Sequence, residues 1–173
     1  MTGTGPAHVV VPSPIGALTV VAEGGAVTHL LMDAAKYRPE DPDVLWVAGD
    51  PTDEPFASVG VQLAAYFTGA LTEFDLPLAP RGDTFHQRVW ALLREIPYGE
   101  TRSYGDLARA LGDRNLAQAV GTANGRNPIA VVVPCHRVVG SDGSLVGYAG
   151  GLDRKRFLLA LEEPSATASG RLF

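Results

Sequence analysis

The chain is poor in cysteine and in long apolar runs. Cys135 is the only cysteine among 173 residues, which excludes an internal disulfide and a zinc site built from several cysteines. The N-terminus lacks the basic, apolar and small-residue regions of a secretory signal, and no apolar run is long enough to span a membrane. With 46% hydrophobic and 19% charged residues, the composition predicts a globular cytoplasmic protein of one domain or two small ones.

Basic side chains are scarce in the first half. Residues 1–80 carry two basic and ten acidic side chains, whereas residues 81–160 carry eleven basic and seven acidic ones. The second half is therefore a mildly basic unit that follows an acidic one. This asymmetry permits phosphate contacts by the second half without establishing them, because solvated protein faces routinely carry such charges.

The first half has the pattern of a small sheet followed by a helix. Segments 8–11, 17–22 and 26–32 are apolar and separated by turn residues, which predicts an antiparallel meander. Segment 34–55 is acidic and dense in proline, which predicts a loop. Apolar residues at helical spacing over 56–69 predict an amphipathic helix.

A domain boundary is predicted where proline and glycine coincide with the change of charge sign. We expect an N-terminal α/β structural domain over 1–76, a linker over 77–82, a C-terminal domain over 83–163 and a loosely held tail over 164–173. The C-terminal domain would open with a helix that ends at Pro97. Thr84 and Gln87 fit a capping box at its start.

Two further short helices follow. Ser103 is a predicted N-cap for a helix over 104–111, in which Asp106 suits the positive end of the helix dipole. Gly112 ends that helix, and a second one is predicted over 116–124. These are the proportions of a helix-turn-helix, although most such pairs in unrelated proteins are ordinary packing units.

The second of these helices is unusually rich in small side chains. Small residues let a helix backbone approach its partner closely, and the partner is either the protein core or a narrow groove of a bound macromolecule. The small residues are Ala117, Ala119, Gly121, Thr122 and Ala123.

Cys135 follows the apolar run 129–133 and precedes His136. The thiolate is the reactive form of cysteine, so a nucleophilic cysteine needs a base, and His136 is the nearest candidate. Neighbouring side chains in extended chain point in opposite directions, however, and free cysteine is among the most buried residue types. From these residues alone, a core cysteine and a nucleophile stay equally open.

Several motifs taken together resemble a known family. They are the segments 98–104 (YGETRSY) and 119–121 (AVG), the pair Asn127-Pro128, the segments 134–139 (PCHRVV) and 147–151 (GYAGG), and Lys155. In this order and spacing they closely resemble the O6-alkylguanine-DNA alkyltransferases, also called methylated-DNA-protein-cysteine methyltransferases. The match runs from about Thr84 to Glu162, whereas the N-terminal half resembles the family only in its layout.

The resemblance implies both a fold and a reaction. The fold is α+β: a small antiparallel sheet with a helix, in a ribonuclease-H-like layout, precedes a mostly helical domain that contains a helix-turn-helix. The reaction is direct-reversal DNA repair, in which an alkylated guanine is flipped out of the duplex and its alkyl group moves irreversibly to Cys135 in a single turnover. The implied partner is double-stranded DNA carrying alkylated guanine, bound by a monomer without a membrane, metal or organic cofactor.

The resemblance also assigns roles around Cys135. His136 would accept the thiol proton through water, Glu162 would orient the imidazole, and Asn127 would brace the turns of the site. Without the family, Glu162 would be a solvated carboxylate at a helix end.

For the substrate pocket, the resemblance implies that Tyr104 donates to the flipped base or crowds its phosphate and that Tyr148 forms a wall. Backbone groups of Val138 and Ala149 would read the guanine edge together with that of Cys135.

At the DNA surface the chain departs from the family pattern. The family usually has an arginine before the segment 119–121, which inserts where the base was removed, and this chain has Gln118, which lacks charge and stacks less well. Arg114 or Arg126 could compensate. The DNA-contacting residues that the resemblance implies are Ala117, Gln118, Gly121, Thr122, Arg114, Arg126 and Arg137.

Two other function classes stay open. A hydrolase using Cys135 and His136 would turn over repeatedly and would need an oxyanion hole for a carbonyl substrate. A binding-only relative of the alkyltransferases would detect lesions without repairing them, but such proteins lack the reactive cysteine that this chain keeps.

Overall fold

The computed structural model of the protein describes residues 5–32 and 46–163. These residues form two compact units. One contains the chain up to Arg81 together with Pro128–Ala130, and the other contains Gly82–Asn127 and the chain from Val131 onward. As the α+β prediction requires, the four-stranded sheet lies in the first unit with one helix, and the other helices lie in the second unit.

The first unit is built on the predicted meander. Strands β1 (Ala7–Val11), β2 (Leu18–Glu23) and β3 (Ala26–Leu31) pair in antiparallel order, with β2 in the centre and buried along nearly all of its length. Helix α1 (Phe56–Phe67) follows and buries one stripe of its surface at helical spacing. Its buried residues are Phe56, Val59, Leu63 and Tyr66.

One part of the segment predicted to be a loop is a strand. Strand β4 (Val47–Ala48) pairs in parallel with β1 and gives the sheet the order β3-β2-β1-β4. Two residues are too few to show an alternating strand pattern in the sequence. They form a strand because the edge of β1 offers backbone groups for pairing. The part of the predicted loop over 34–45 lies outside the described residues.

A short piece predicted to belong to the C-terminal domain lies in the first unit. The Leu30 amide donates to the Pro128 carbonyl over 2.8 Å, and the Ala130 amide donates to the Leu30 carbonyl over 3.1 Å. Pro128–Ala130 therefore lies along β3. Local sequence pattern cannot reveal this pairing, because the partners are about a hundred residues apart.

The second unit is mostly helical. Its elements are α2 (Thr84–Arg94), β5 (Arg102–Ser103), α3 (Tyr104–Ala110), α4 (Ala117–Gly125), β6 (Val138–Val139) and α5 (Leu152–Glu162). Throughout the described ranges, every helix is too short or too polar to cross a membrane.

The N-cap of α2 differs from the prediction. Asp83, not Thr84, is the N-cap, and its carboxylate accepts a hydrogen bond from the His86 amide over 2.8 Å. An ionised carboxylate is a stronger acceptor for the free amides of a first turn than a threonine hydroxyl is. The capping box of Thr84 and Gln87 is therefore wrong by one residue.

The two predicted helices of the helix-turn-helix are present, and their ends differ from the prediction by at most one residue. Ser103 accepts from the Asp106 amide over 3.0 Å, and the Asp106 carboxylate accepts from the Ser103 amide over 2.9 Å. Gly112, with a φ of 101°, follows α3, and a single turn of 3₁₀ helix over Arg114–Leu116 leads into α4. The reciprocal caps explain where α3 starts, and the left-handed backbone at Gly112 explains where it stops.

The buried face of helix α5 is not made of its apolar residues alone. Phe157 is 40% exposed, whereas Lys155 and Glu162 are buried on the same face as Leu158. Positions i, i+3 and i+7 share a helix face, so this face carries two opposite charges into the core of the unit. Those charges need partners there, and the partners define the site described below.

The capping box of α3 yields a prediction about stability. Ser103→Ala removes the acceptor for the Asp106 amide and should lower the free energy of unfolding by about 1 kcal/mol. Ser103→Thr keeps a hydroxyl at the cap and should retain most of that stability. Urea unfolding followed by circular dichroism measures the difference, and equal midpoints for the wild type and Ser103→Ala would contradict the assigned cap.

Candidate active site

Cys135 lies in a turn that is held on both sides. It opens a turn of 3₁₀ helix over Cys135–Arg137, which runs directly into β6, and β6 pairs in parallel with β5. Before it, Val131 is buried with a φ of 71°, a left-handed conformation that costs a β-branched residue about 1–3 kcal/mol. The surrounding packing therefore dictates the path of the chain into this turn.

The Cys135 thiol is nearly sealed from solvent, at 5% exposed. Burial raises the pKa of Cys135, while side-chain hydrogen bonds from Asn127 and Tyr148 and the positive charge of Lys155 act to lower it. Burial is the largest of these effects, so the resting group is a thiol. A nucleophile in this environment needs a nearby base to take its proton.

His136 is fully buried and hydrogen-bonded on one side only. Its Nε2 atom lies 2.7 Å from Oε2 of Glu162, whereas Nδ1 has no hydrogen-bond partner within the described part of the chain. Burial lowers the pKa of His136, the Glu162 carboxylate opposes this, and the charges of Arg137 and Lys155 add to the lowering. The imidazole is therefore neutral at physiological pH and can accept a proton.

Glu162 is buried at the last turn of α5, which excludes the solvated helix-end role. Its Oε1 accepts from Nε of Arg137 over 2.7 Å, and its Oε2 accepts from Nη2 of Arg137 over 3.0 Å as well as facing His136. The structure thus brings together the cysteine, histidine and glutamate that the sequence singled out.

Arg137 does not lie on the DNA-contacting surface that the resemblance implies. Its exposed fraction is 7%, and Nη1 donates to the Ile96 carbonyl over 2.7 Å while the other donors bind Glu162. The expected DNA contact is therefore wrong, because the guanidinium faces inward. A buried carboxylate needs a counter-charge, and the sequence carries no local signal for which arginine supplies it.

Two asparagines tie the turn to the preceding chain. Asn127 donates through Nδ2 to the Val133 carbonyl over 2.8 Å, in line with the expected bracing role. Asn124, which no sequence motif singles out, is buried in α4 and donates to the Cys135 carbonyl over 3.4 Å. The available signal was a polar residue at helical spacing from buried Val120.

A loop beside the thiol is anchored by two side chains. The Tyr104 hydroxyl donates to the Val146 carbonyl over 3.0 Å, and Nζ of buried Lys155 donates to the carbonyls of Val146 and Gly147 over 3.3 and 3.1 Å. Tyr148 follows in this loop, and its side chain acts to lower the pKa of the Cys135 thiol. Lys155 received no role from the sequence, yet it holds the loop and places a positive charge near the thiol.

The remaining predicted residues lie on the outer side of the second unit. Gln118, Thr122, Arg114 and Arg126 are exposed on or beside α4, and Ala117 is half-buried. Gly121 faces the ring of Tyr104, where an added Cβ would lie 3.7 Å away. That is an ordinary contact distance, so the Tyr104 ring alone does not require glycine at this position.

Val138 and Ala149 were expected to read the guanine edge through their backbones. Val138 is buried in β6 and pairs with Arg102 of β5, while Ala149 is exposed next to Tyr148. Their expected contacts with a base stay predictions.

Comparison with known proteins finds family models that match both halves of the chain. Residues 8–80 match the family model for the ribonuclease-like domain of 6-O-methylguanine DNA methyltransferase, and residues 84–164 match that for its DNA binding domain. A methylated-DNA--protein-cysteine methyltransferase of Mycolicibacterium paratuberculosis is 52% identical over 165 residues, which cover 94% of this chain and 96% of the relative. One from Mycobacterium leprae is 50% identical, with 93% and 94% covered.

Solved structures agree with the sequence relatives. A crystal structure of Mycobacterium tuberculosis O6-methylguanine methyltransferase has a TM-score of 0.83 and 48% identity, and the match covers 97% of this chain and 99% of that one. A structure of Mycobacterium tuberculosis OGT in complex with DNA has a TM-score of 0.82 and 51% identity, with 90% and 92% covered. The chain belongs to the 6-O-methylguanine DNA methyltransferase family.

Proposed function

We propose that the protein repairs DNA by moving the alkyl group of an O6-alkylated guanine onto Cys135. The observation that carries the proposal is a buried thiol that is followed in the chain by a buried, neutral imidazole, whose Nε2 faces a carboxylate and whose Nδ1 has no hydrogen-bond partner among the described residues. Such a set can generate a thiolate on demand without a permanently charged, exposed cysteine. The relatives named above act on methylated DNA, and one is known in complex with DNA.

The chemistry balances with this chain and the base alone. The proton of the Cys135 thiol passes to Nδ1 of His136, directly or through water, and the sulfur forms a bond to the alkyl carbon. The bond between that carbon and O6 breaks, its electron pair stays on the guanine, and a proton restores the normal base. No metal, nucleotide or organic cofactor is needed for this step.

The product is a thioether, which is a very poor leaving group. We therefore infer that each molecule acts once and remains alkylated, as a reagent that is consumed. A hydrolase would instead release its acyl product and recover the thiol.

Access to Cys135 requires the base to leave the stack. A thiol that is 5% exposed cannot reach an atom inside duplex DNA, so the nucleotide must be extruded, at a cost of a few kcal/mol. The loop anchored by Tyr104 and Lys155 next to Tyr148 is the natural wall for the extruded base. The protein is proposed to carry out this step as a monomer on double-stranded DNA carrying alkylated guanine.

Helix α4 is the proposed DNA-contacting element. Its exposed side offers small residues and Gln118, and the exposed Arg114 and Arg126 flank its two ends. Lesion repair must ignore sequence, and phosphate contacts with shallow groove insertion serve that need better than reading base edges. Arg137 is excluded from this surface because it is buried.

Intact-mass measurement tests the reaction. After mixing with a duplex oligonucleotide containing O6-methylguanine, the wild type should gain the mass of one methyl group, and peptide mapping should place it on Cys135. Cys135→Ser should gain none, because an alcohol is far less nucleophilic than a thiolate. Unmodified wild-type protein that binds the duplex would indicate a lesion sensor, and repeated turnover would indicate a hydrolase.

The departure at Gln118 gives a second prediction. Gln118→Arg adds a planar cation at the exposed start of α4 and should raise both the affinity for the duplex and the single-turnover repair rate. Arg114→Ala and Arg126→Ala should each weaken binding if these arginines compensate for the glutamine. Gel-shift titrations and quenched-flow repair assays measure both effects, and three silent variants would refute the assigned DNA surface.

A further inference from the structure

Arg137 is the most completely engaged side chain around the thiol. Its guanidinium makes hydrogen bonds to both oxygens of Glu162 and to the Ile96 carbonyl, with donor to acceptor distances from 2.7 to 3.0 Å. The cation also lies over the ring of Tyr98, with Cζ 5.8 Å from the ring centroid. This geometry fixes the carboxylate plane of Glu162 in the core of the second unit.

The hydrogen bonds that the Glu162 carboxylate accepts decide which imidazole nitrogen carries the proton. A guanidinium has only donors, so both carboxylate oxygens act as acceptors toward Arg137. Oε2 also faces Nε2 of His136 over 2.7 Å, and an acceptor can be satisfied there only by a nitrogen that bears hydrogen. In the neutral imidazole the lone pair is then on Nδ1, the nitrogen that has no partner among the described residues.

We propose that Arg137 is a positioning residue for alkyl transfer, which clamps Glu162 and thereby holds His136 as the neutral tautomer with its proton on Nε2 and its acceptor on Nδ1. The proposal rests on the proposed function for the direction of the chemistry. Its geometry stands independently of the reaction.

The charges around His136 explain why the clamp affects reactivity. Glu162 and Lys155 act on the imidazole from α5, and Cys135 and Arg137 belong to its own turn. Tyr98 interacts electrostatically with both Glu162 and Arg137. Glu162 acts to raise the pKa of His136, and Arg137 acts to lower it. Without Arg137 the imidazole faces an uncompensated carboxylate, so its pKa rises and it holds a proton that it must be free to accept.

A lysine cannot replace this clamp in full. An ammonium group keeps the positive charge but not the planar fork that spans both carboxylate oxygens and still reaches the Ile96 carbonyl. Charge and geometry can therefore be separated by two substitutions at one position.

The first test is the pH dependence of single-turnover methyl transfer, with the full chain and a duplex containing O6-methylguanine. For Arg137→Met, the rate should rise with pH through a midpoint above that of the wild type. At a fixed pH below both midpoints, each pH unit of displacement lowers the rate by about tenfold. Arg137→Lys should show a smaller displacement, and the double variant Arg137→Met with Glu162→Gln should reverse it, because no carboxylate is then left uncompensated.

The matched control is Arg156→Met, which removes an exposed arginine of α5 that pairs with Asp153. Its pH profile should coincide with that of the wild type. Circular dichroism establishes that each variant is folded, and if Arg137→Met does not fold, Arg137→Lys carries the comparison. Folded Arg137 variants whose profiles coincide with the wild type would overturn the proposal.

The second test separates this proposal from the proposed function, because it needs no DNA. Nitrogen chemical shifts of ¹⁵N-histidine-labelled protein distinguish the two neutral tautomers and report the imidazole titration. The wild-type His136 signal, assigned by a His136→Gln variant, should show protonated Nε2 and bare Nδ1 at neutral pH. Arg137→Met should titrate at higher pH, and a wild-type signal from the other tautomer, or one unmoved by Arg137→Met, would overturn the proposal even if methyl transfer to Cys135 is observed.

Discussion

The second unit depends on one buried carboxylate. Glu162 is 1% exposed, and Arg137 and His136 stabilise its ionised form in the core by supplying hydrogen-bond donors to both of its oxygens. A buried ion pair of this kind is weak evidence for stability, since apolar residues of the same volume often serve as well. Its value here is that it fixes the direction and protonation of the imidazole beside Cys135.

The turn that carries the thiol is bound to the structure around it by backbone as well as side chains. Strand β6 follows the turn and pairs with β5, which lies directly before α3. This strand pairing connects the turn to the start of the first helix of the helix-turn-helix. Asn124 of α4 donates to the Cys135 carbonyl. The proposed DNA-contacting helix and the backbone of the nucleophile are thus joined by a direct hydrogen bond, which suits a protein whose substrate must be extruded from DNA into the site.

The elements that the sequence predicted correctly are those with strong local signals. The meander over β1 to β3 follows alternating apolar runs and turn residues, and the start of α3 follows the reciprocal pair Ser103 and Asp106. The errors have physical causes. Asp83 rather than Thr84 caps α2 because the carboxylate is the stronger acceptor, and β4 and the segment 128–130 become part of a sheet only through partners far away in sequence.

The sequence by itself determined the chemical components: a lone cysteine beside a histidine, a helix-turn-helix with small residues in its second helix, and a motif order that identifies the family. Only the tertiary structure decided what Arg137, Lys155 and Asn124 do. A charged or amide side chain has no periodic signal that reveals its partner, because the choice between solvent and a buried counter-group is made when distant segments pack together. Arg137 is the clearest case: its position in the chain is compatible with a surface contact, and only the burial of Glu162 beside it turns the guanidinium inward.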